Sequence, residues 1–320
     1  MPVAIANPPR AAIAFDNFIV AIDGLPRDAD GAIDPRDAAP ALGGLARNRD
    51  FLAQAMIAEL KTHCASQLSD NRYGPQVVML HQARGLYAVR ANIWPASDDA
   101  EVRANGAHAY FYGRAHDHNF DFLTVGYCGP GYVSDYYDYG EGGDNGVLTG
   151  YPGEAVPLRF IERSALHEGR MLLYRAGIDI HCQWPPESLS ISLNVMQMSP
   201  GIAWRNQYLI DVEDRSVIRP ISFAASESLL AVAVHFDPNG CDLAHEFVAS
   251  HRCERMRWSA ARAIAATLPD AAARHAWFVG LGASDSALVA ACAVRTAKGL
   301  EFETDPDASA LGQAAAIHPR

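Results

Sequence analysis

The stretch SLSISLNV at 188–195 limits the fold more than any other feature of this chain. In an extended backbone Leu189, Ile191, Leu193 and Val195 fall on one face, and Ser190, Ser192 and Asn194 fall on the other. A strict period of two is the pattern of a half-buried strand and does not fit a helix. Similar short runs recur from 76 to about 222. QVVMLHQARGLYAVRANIWP predicts two strands around Ala83-Arg84-Gly85. AHAYFYGRAHDHNFDFLTVGY predicts one long aromatic strand, and GPG at 129–131 a turn. YVSDYYDYG, GRMLLYRAG, IDIHCQ and NQYLIDVED predict further strands, and EGGDNG at 141–146 a second turn. Eight or more short strands punctuated by Gly, Pro and Asp predict a sandwich or barrel of the jelly-roll kind.

The flanks read differently. Residues 24–45 are rich in Asp, Pro, Gly and Ala and predict a loop or covering arm. Residues 47–65 predict a helix, with Phe51, Leu52, Met56, Ile57 and Leu60 at helical spacing. Beyond 223 the pattern is helical, and ERMRWSAARAIAATL and DSALVAACAVR faintly resemble each other, as two helices of a HEAT-type repeat would. The reading is therefore α+β in three parts: an N-terminal arm and helix at 1–75, a β-barrel at 76–222, and a helical region at 223–320.

Charge and cysteine content narrow the class. The 320 residues carry a formal charge of −11, from 26 basic and 37 acidic side chains. That balance argues against a nucleic-acid surface and against anionic membranes. The six cysteines, at 64, 128, 182, 241, 253 and 292, form no CxxC pair, as expected for reduced thiols in the cytosol. The first residues lack a basic n-region, and no 18-residue apolar span occurs, so neither a secretion signal nor a membrane crossing is expected. A homo-oligomer, and a protein partner held by the helical region, are both compatible with this composition.

The chemistry concentrates in GRAHDHNFDF at 113–122. On a strand His116 and His118 project together, with Tyr112, Arg114, Phe120 and Phe122 on the same face. Two imidazoles so spaced can share one metal ion, and the best third ligand is His181 in GIDIHCQ. Imidazoles suit iron(II), zinc, copper or nickel. His108, His167, His235, His245 and His251 are weaker candidates. Glu154 is a reserve carboxylate, Asp121 points away from the histidines on a regular strand, and Asp117, between the two histidines, could join them only on a bulged one. Arg114 is the candidate for pairing with a substrate carboxylate and Tyr112 for donating a hydrogen bond or proton, with Arg175 as a weaker alternative to Arg114. Trp184 is a candidate pocket wall. Cys128 and Cys182 read as buried bystanders, and the run of Tyr127, Tyr132, Tyr136, Tyr137 and Tyr139 reads as packing.

HxH on a strand, a Gly-Pro-Gly turn and a later His on a neighbouring strand resemble the two metal motifs of the cupin superfamily, over residues 76–222. The usual motif has a Glu four or five residues after the second His, where this chain has Phe122 and Leu123. The second motif has one extra residue between Gly177 and His181. What remains is similar to the three-histidine arrangement of cysteine-dioxygenase-like cupins. The resemblance implies a cupin barrel and a non-heme iron(II) oxygenase acting with O2 on a small, carboxylate-bearing molecule. Three other readings stand beside it: a 2-oxoglutarate-dependent oxygenase, a zinc or nickel isomerase or hydrolase, and a non-catalytic binding or scaffold protein. No GxGxxG, Walker loop, HExxH or GxSxG occurs.

Overall fold

The structure, a computed structural model, describes residues 1–299 apart from 72, 75, 84, 141, 142 and 223. Parts of the two turns expected around Arg84 and at 141–146, and the end of the helical region, therefore lie outside the described residues. The chain divides into two compact units: Met1–Asn145 with Pro157–Ile202, and Gly146–Val156 with the chain from Ala203 onward.

The first unit opens with β1 (Val3–Ile5) and the helices α1 (Phe15–Asp23), α2 (Ala39–Leu45), α3 (Phe51–Lys61) and α4 (Ala65–Asp70). The hairpin β2 (Val77–Ala83) and β3 (Tyr87–Trp94) follows, then the short α5 (Ala100–Asn105) and β4 (Ala115–His116). Six more strands complete the unit: β5 (Phe122–Cys128), β6 (Val133–Asp138), β7 (Arg159–Ala165), β8 (Met171–Tyr174), β9 (Ile180–Trp184) and β10 (Ser190–Gln197). They form two antiparallel sheets. One runs β1-β8-β5-β10-β3-β2, and the other contains β4-β9-β6-β7. The architecture is α+β, as expected, but the strands pair as two separate sheets rather than as one closed barrel.

The central strands β3, β5, β8 and β10 of the first sheet are buried on both faces, which corrects the reading of 188–195 as half-buried, although Leu189, just before β10, is exposed. On these strands the odd-numbered residues, among them Val89, Leu123, Val125, Leu193 and Val195, pack with Phe18, Ile22, Leu42, Leu45 and Phe51 of the N-terminal helices. Their even-numbered residues face the second sheet, where Ala88, Phe122, Leu172, Tyr174 and Met196 pack with Tyr132 and Tyr136. The polar members of that inner face, Arg90, Asn92, Thr124, Ser190, Ser192 and Asn194, are buried as well. Alternation reports two chemically different sides; it does not report which of them meets water.

Two further expectations change. Part of the expected loop at 24–45 is helical. Residues Pro35–Ala38 make a 3-10 turn started by Asp34 and run into α2, because burying Ala38, Leu42 and Leu45 outweighs the weak helix propensity of Gly and Pro. The expected long strand from 107 is broken. Residues 107–110 form a 3-10 turn, and Gly106, Phe111 and Gly113 have φ of +80°, +63° and +70°, so strand geometry starts only at Ala115. In α3, Phe51 and Leu52 are buried, whereas Ile57 and Leu60 are exposed. The GPG turn is present: Gly129 and Gly131 have φ of +84° and +85°, and a Cβ on Gly131 would run into the Leu166 carbonyl.

The second unit pairs the hairpin β11 (Tyr208–Asp211) and β12 (Ser216–Pro220) with five helices. These are α6 (Ala225–Phe236), α7 (Pro238–Ser250), α8 (Glu254–Thr267), α9 (Ala271–Leu281) and α10 (Ala287–Ala297). Asp237, Asp270 and Ser286 cap α7, α9 and α10 by accepting from the N–H of Asn239, Ala273 and Val289. Helices α8 and α10, whose sequences resemble each other, contribute Met256, Ile264, Val289 and Cys292 to one apolar core. Among the described residues no helix is long and apolar enough to cross a membrane.

Candidate metal centre

The three expected imidazoles meet. His116 and His181 are register partners between β4 and β9, and Tyr136 of β6 is opposite His181 on the other side. His118 follows β4 in irregular backbone whose carbonyl accepts from the Gly177 N–H at 2.7 Å. His181 Nε2 is 3.0 Å from His118 Nε2 and 3.2 Å from His116 Nε2. All three side chains are buried, and they are a group of the described residues able to hold a metal ion.

The surroundings favour the ligand form. The Nδ1–H of His116 donates to the Arg114 carbonyl at 2.9 Å, which fixes the tautomer and leaves the Nε2 lone pair facing inward. The Nδ1 atoms of His118 and His181 are buried without hydrogen-bond partners. Burial pushes the pKa of His116 down to about 4, assisted by the charge of Arg90. Burial, with the neighbouring imidazoles and Arg90, holds His118 and His181 well below the usual value. Neutral imidazoles are what a divalent ion requires. With metal–nitrogen bonds of about 2.1 Å, adjacent donors of an octahedron are about 3.0 Å apart and those of a tetrahedron about 3.4 Å apart. The two separations, 3.0 and 3.2 Å, fall within this range.

Aromatic rings wall the group. Phe122 meets His118 edge-on at 4.8 Å, Phe120 is 5.3 Å from the same ring, and Tyr174 is 4.8 Å from His181. Tyr174 stacks on Phe122 and shares a 3.1 Å hydrogen bond with the Tyr136 hydroxyl. Phe120 and Phe122 thus sit beside the histidines as their spacing predicts, and most of the tyrosine run is buried packing.

Other expected residues are engaged elsewhere. With the strand broken at 107–113, Tyr112 does not share a strand face with the histidines, and its hydroxyl donates to the Pro95 carbonyl at 2.8 Å. The Arg114 guanidinium donates to His108 Nδ1 at 3.3 Å and lies over the Phe111 ring. Arg175 is paired with Asp179 through two contacts of 2.7 and 3.0 Å. Asp117 accepts from Tyr139 Oη and Asn145 Nδ2 at 2.9 and 2.8 Å, away from the imidazole group. Glu154, in the second unit, accepts from the N–H of Thr149 and Gly150. His167 is exposed and its Nδ1 is 3.1 Å from the Glu168 carbonyl; His235 and His245 are exposed on helices. Trp184 is half-exposed and donates to Asp135 at 2.8 Å. Cys128 is exposed, contrary to the bystander reading, whereas Cys182 is buried and its thiol is pushed up to about 12 by burial.

The sequence reading missed two features. Arg90 is buried on the inner face with no carboxylate partner among the described residues, its guanidinium 4.7 Å from the Tyr73 ring. Turned to satisfy its neighbours, the Asn194 amide accepts from Arg90 Nε at 3.3 Å and from Asn92 Nδ2 at 3.2 Å, and donates to Thr124 at 2.7 Å. The second feature is Gln183, whose Nε2 is 3.3 Å from His181 Nε2. The signal for Arg90 was there: VRANI and SISLN put Arg, Asn, Ser and Asn at alternate positions in strands that are otherwise apolar.

No protein-family model matches the sequence, and no curated protein matches it. Among solved structures, the chain is similar to a cupin domain from Bordetella pertussis Tohama I, at 12% identity over 40% of this chain and 98% of that one, with a TM-score of 0.23. It is also similar to a hydroquinone 1,2-dioxygenase solved with cadmium and 4-hydroxybenzonitrile, at 14% identity over 42% and 71% and a TM-score of 0.25. A third is a chain from structures of DMSP lyases, at 11% identity over 66% and 86% and a TM-score of 0.23. Scores this low establish neither a shared fold nor a shared activity.

Proposed function

We propose that the first unit is a cupin-type sandwich holding a metal, and that the protein is a non-heme iron(II) oxygenase acting with O2 on a small, carboxylate-bearing molecule. The observation that carries this reading is the convergence of three buried, neutral imidazoles through Nε2 between two sheets. Bound there, iron(II) would supply open coordination positions and reducing electrons for O2.

The chain's own residues do the rest. The Arg114 carbonyl holds His116 in the tautomer that presents Nε2. Phe120, Phe122 and Tyr174 exclude water from the imidazoles. Arg90, rather than the partly exposed Arg114, binds the substrate carboxylate. A buried guanidinium without a counter-ion is costly, and an anionic ligand relieves that cost. Arg90 is opposite Asn194, which is opposite Thr124, two residues along the inner face from Phe122. The charge of Arg90 also acts on all three imidazoles, so its guanidinium shares the interior in which the metal would sit. A 2-oxoglutarate type of site gains no support, because the Asp117 carboxylate does not join the imidazole group.

The test is elemental analysis and O2 uptake with small carboxylates, for wild type and His118→Ala. Iron in the wild type, O2 consumption, and loss of both in the variant support the reading. Zinc or nickel without O2 uptake would replace it with a Lewis-acid isomerase or hydrolase, and retention of full metal by the variant would remove the site.

A further inference from the structure

We propose that Gln183 is a fourth protein ligand to the ion at His116, His118 and His181, binding through Oε1. The inference rests on the metal-site reading above and adds a residue that no sequence motif suggested.

Gln183 is two residues after His181 on β9, so the two side chains leave the same face of the strand. Its backbone is held on both edges: it pairs with Ser134 of β6, and its carbonyl accepts from the Gly113 N–H at 2.9 Å. The side chain is 5% exposed. Its Nε2 is 3.3 Å from His181 Nε2, and its Oε1 is buried without a hydrogen-bond partner. This places the amide's donor end against the atom that must carry a lone pair toward the metal, and leaves its acceptor end unused.

A half-turn of the terminal amide exchanges the two ends with no change of shape. Oε1 then takes the position 3.3 Å from His181 Nε2. Neighbouring donors on one ion are about 3.0 Å apart in an octahedron and about 3.4 Å apart in a tetrahedron, so 3.3 Å is within the spacing of two donors that share an ion. An amide oxygen is a neutral, hard donor that suits iron(II), cobalt(II) or zinc. With Gln183 bound, four of six positions come from protein, and two remain for exogenous ligands. The donor set adds no negative charge, so the ion keeps its full attraction for an anionic substrate.

The test uses cobalt(II) as the probe, titrated into the chelator-stripped full-length chain. Affinity is read by competition with a chelator, and coordination by the visible absorption of the bound ion. Wild type, Gln183→Leu, Gln183→Glu and His118→Ala are compared. Loss of a ligand in Gln183→Leu should weaken binding by at least the roughly 10- to 100-fold that loss of an outer-shell partner costs, and it should change the visible bands. Gln183→Glu, which puts a carboxylate in the same position, should bind more tightly than wild type, and it carries the test if the Leu variant does not fold. Wild-type affinity and spectrum in Gln183→Leu, or unchanged affinity in Gln183→Glu, would overturn the inference while loss of binding in His118→Ala leaves the three-histidine site standing. Undiminished binding in His118→Ala would overturn both.

Discussion

His116 and His181 face each other across the ladder between β4 and β9, with their Nε2 atoms 3.2 Å apart. A ladder places two Cα atoms at a fixed separation, so the two imidazoles are brought together by backbone pairing and not only by side-chain packing. They should behave as one unit. His116→Ala, His181→Ala and the double variant are each expected to lower bound metal to the background level, with the double variant no worse than either single one. Metal content per chain after gel filtration checks this.

Arg90 gives a prediction that separates a structural from a ligand-binding role. If it only braced the fold, Arg90→Met would destabilise the protein. As a buried charge without a carboxylate partner among the described residues, its replacement should leave urea stability unchanged or raise it by up to about 2 kcal/mol. The same variant should lose the thermal protection that small carboxylates give the metal-loaded wild type.

Gly131 has φ of +85°, and a Cβ there would meet the Leu166 carbonyl. Gly131→Ala therefore suffers both an unfavourable backbone conformation and a clash with main chain. It should lower stability by about 2 kcal/mol or more, read as a shift of the denaturation midpoint at constant slope.

Asp135 supplies the pH dependence. Burial alone would raise its pKa, but hydrogen bonds from Arg163 and Trp184 outweigh that and hold it below the usual carboxylate value. Its folded pKa is lower than its unfolded one, so its contribution to stability is complete above the unfolded value of about 3.9 and is lost as the pH falls toward the folded one. Arg163→Ala should raise the Asp135 pKa and move that loss to higher pH. An NMR titration of the Asp135 carboxyl carbon in both proteins checks the sign.

Thiol labelling should divide along the burial of Cys128 and Cys182, the two cysteines closest in sequence to the histidines. Cys128 is exposed, and Cys182 is 3% exposed with its thiol pushed up to about 12. Under native conditions, at a pH well below that value, iodoacetamide should modify Cys128 and spare Cys182. Peptide mass mapping distinguishes them.

Local pattern and long-range geometry were legible to different degrees in the sequence. HxH pointed to two members of the imidazole cluster because residues two apart project together on extended backbone, and the two rings do meet although His118 lies beyond the end of β4. His181 could be named because GIDIHCQ has strand character, yet its pairing opposite His116 depends on a long-range register that no local pattern encodes. The roles expected of Tyr112 and Arg114 assumed one unbroken strand, and the aromatic composition of 107–113 concealed positive φ at Phe111 and Gly113. Gln183 went unread because an isolated Gln has no spacing signature. Arg90 went unread because a polar residue alternating with apolar ones suggests solvent, whereas here a second sheet covers that side.

The even positions of β3, β5 and β10 face the second sheet, which carries His116 and His181, while the odd positions grip the N-terminal helices. A substitution such as Asn92→Asp or Ser192→Val would thus change what the interior accepts without touching a side chain that anchors those helices. Within a single sheet, selectivity can drift through one set of codons while cohesion is conserved through the other.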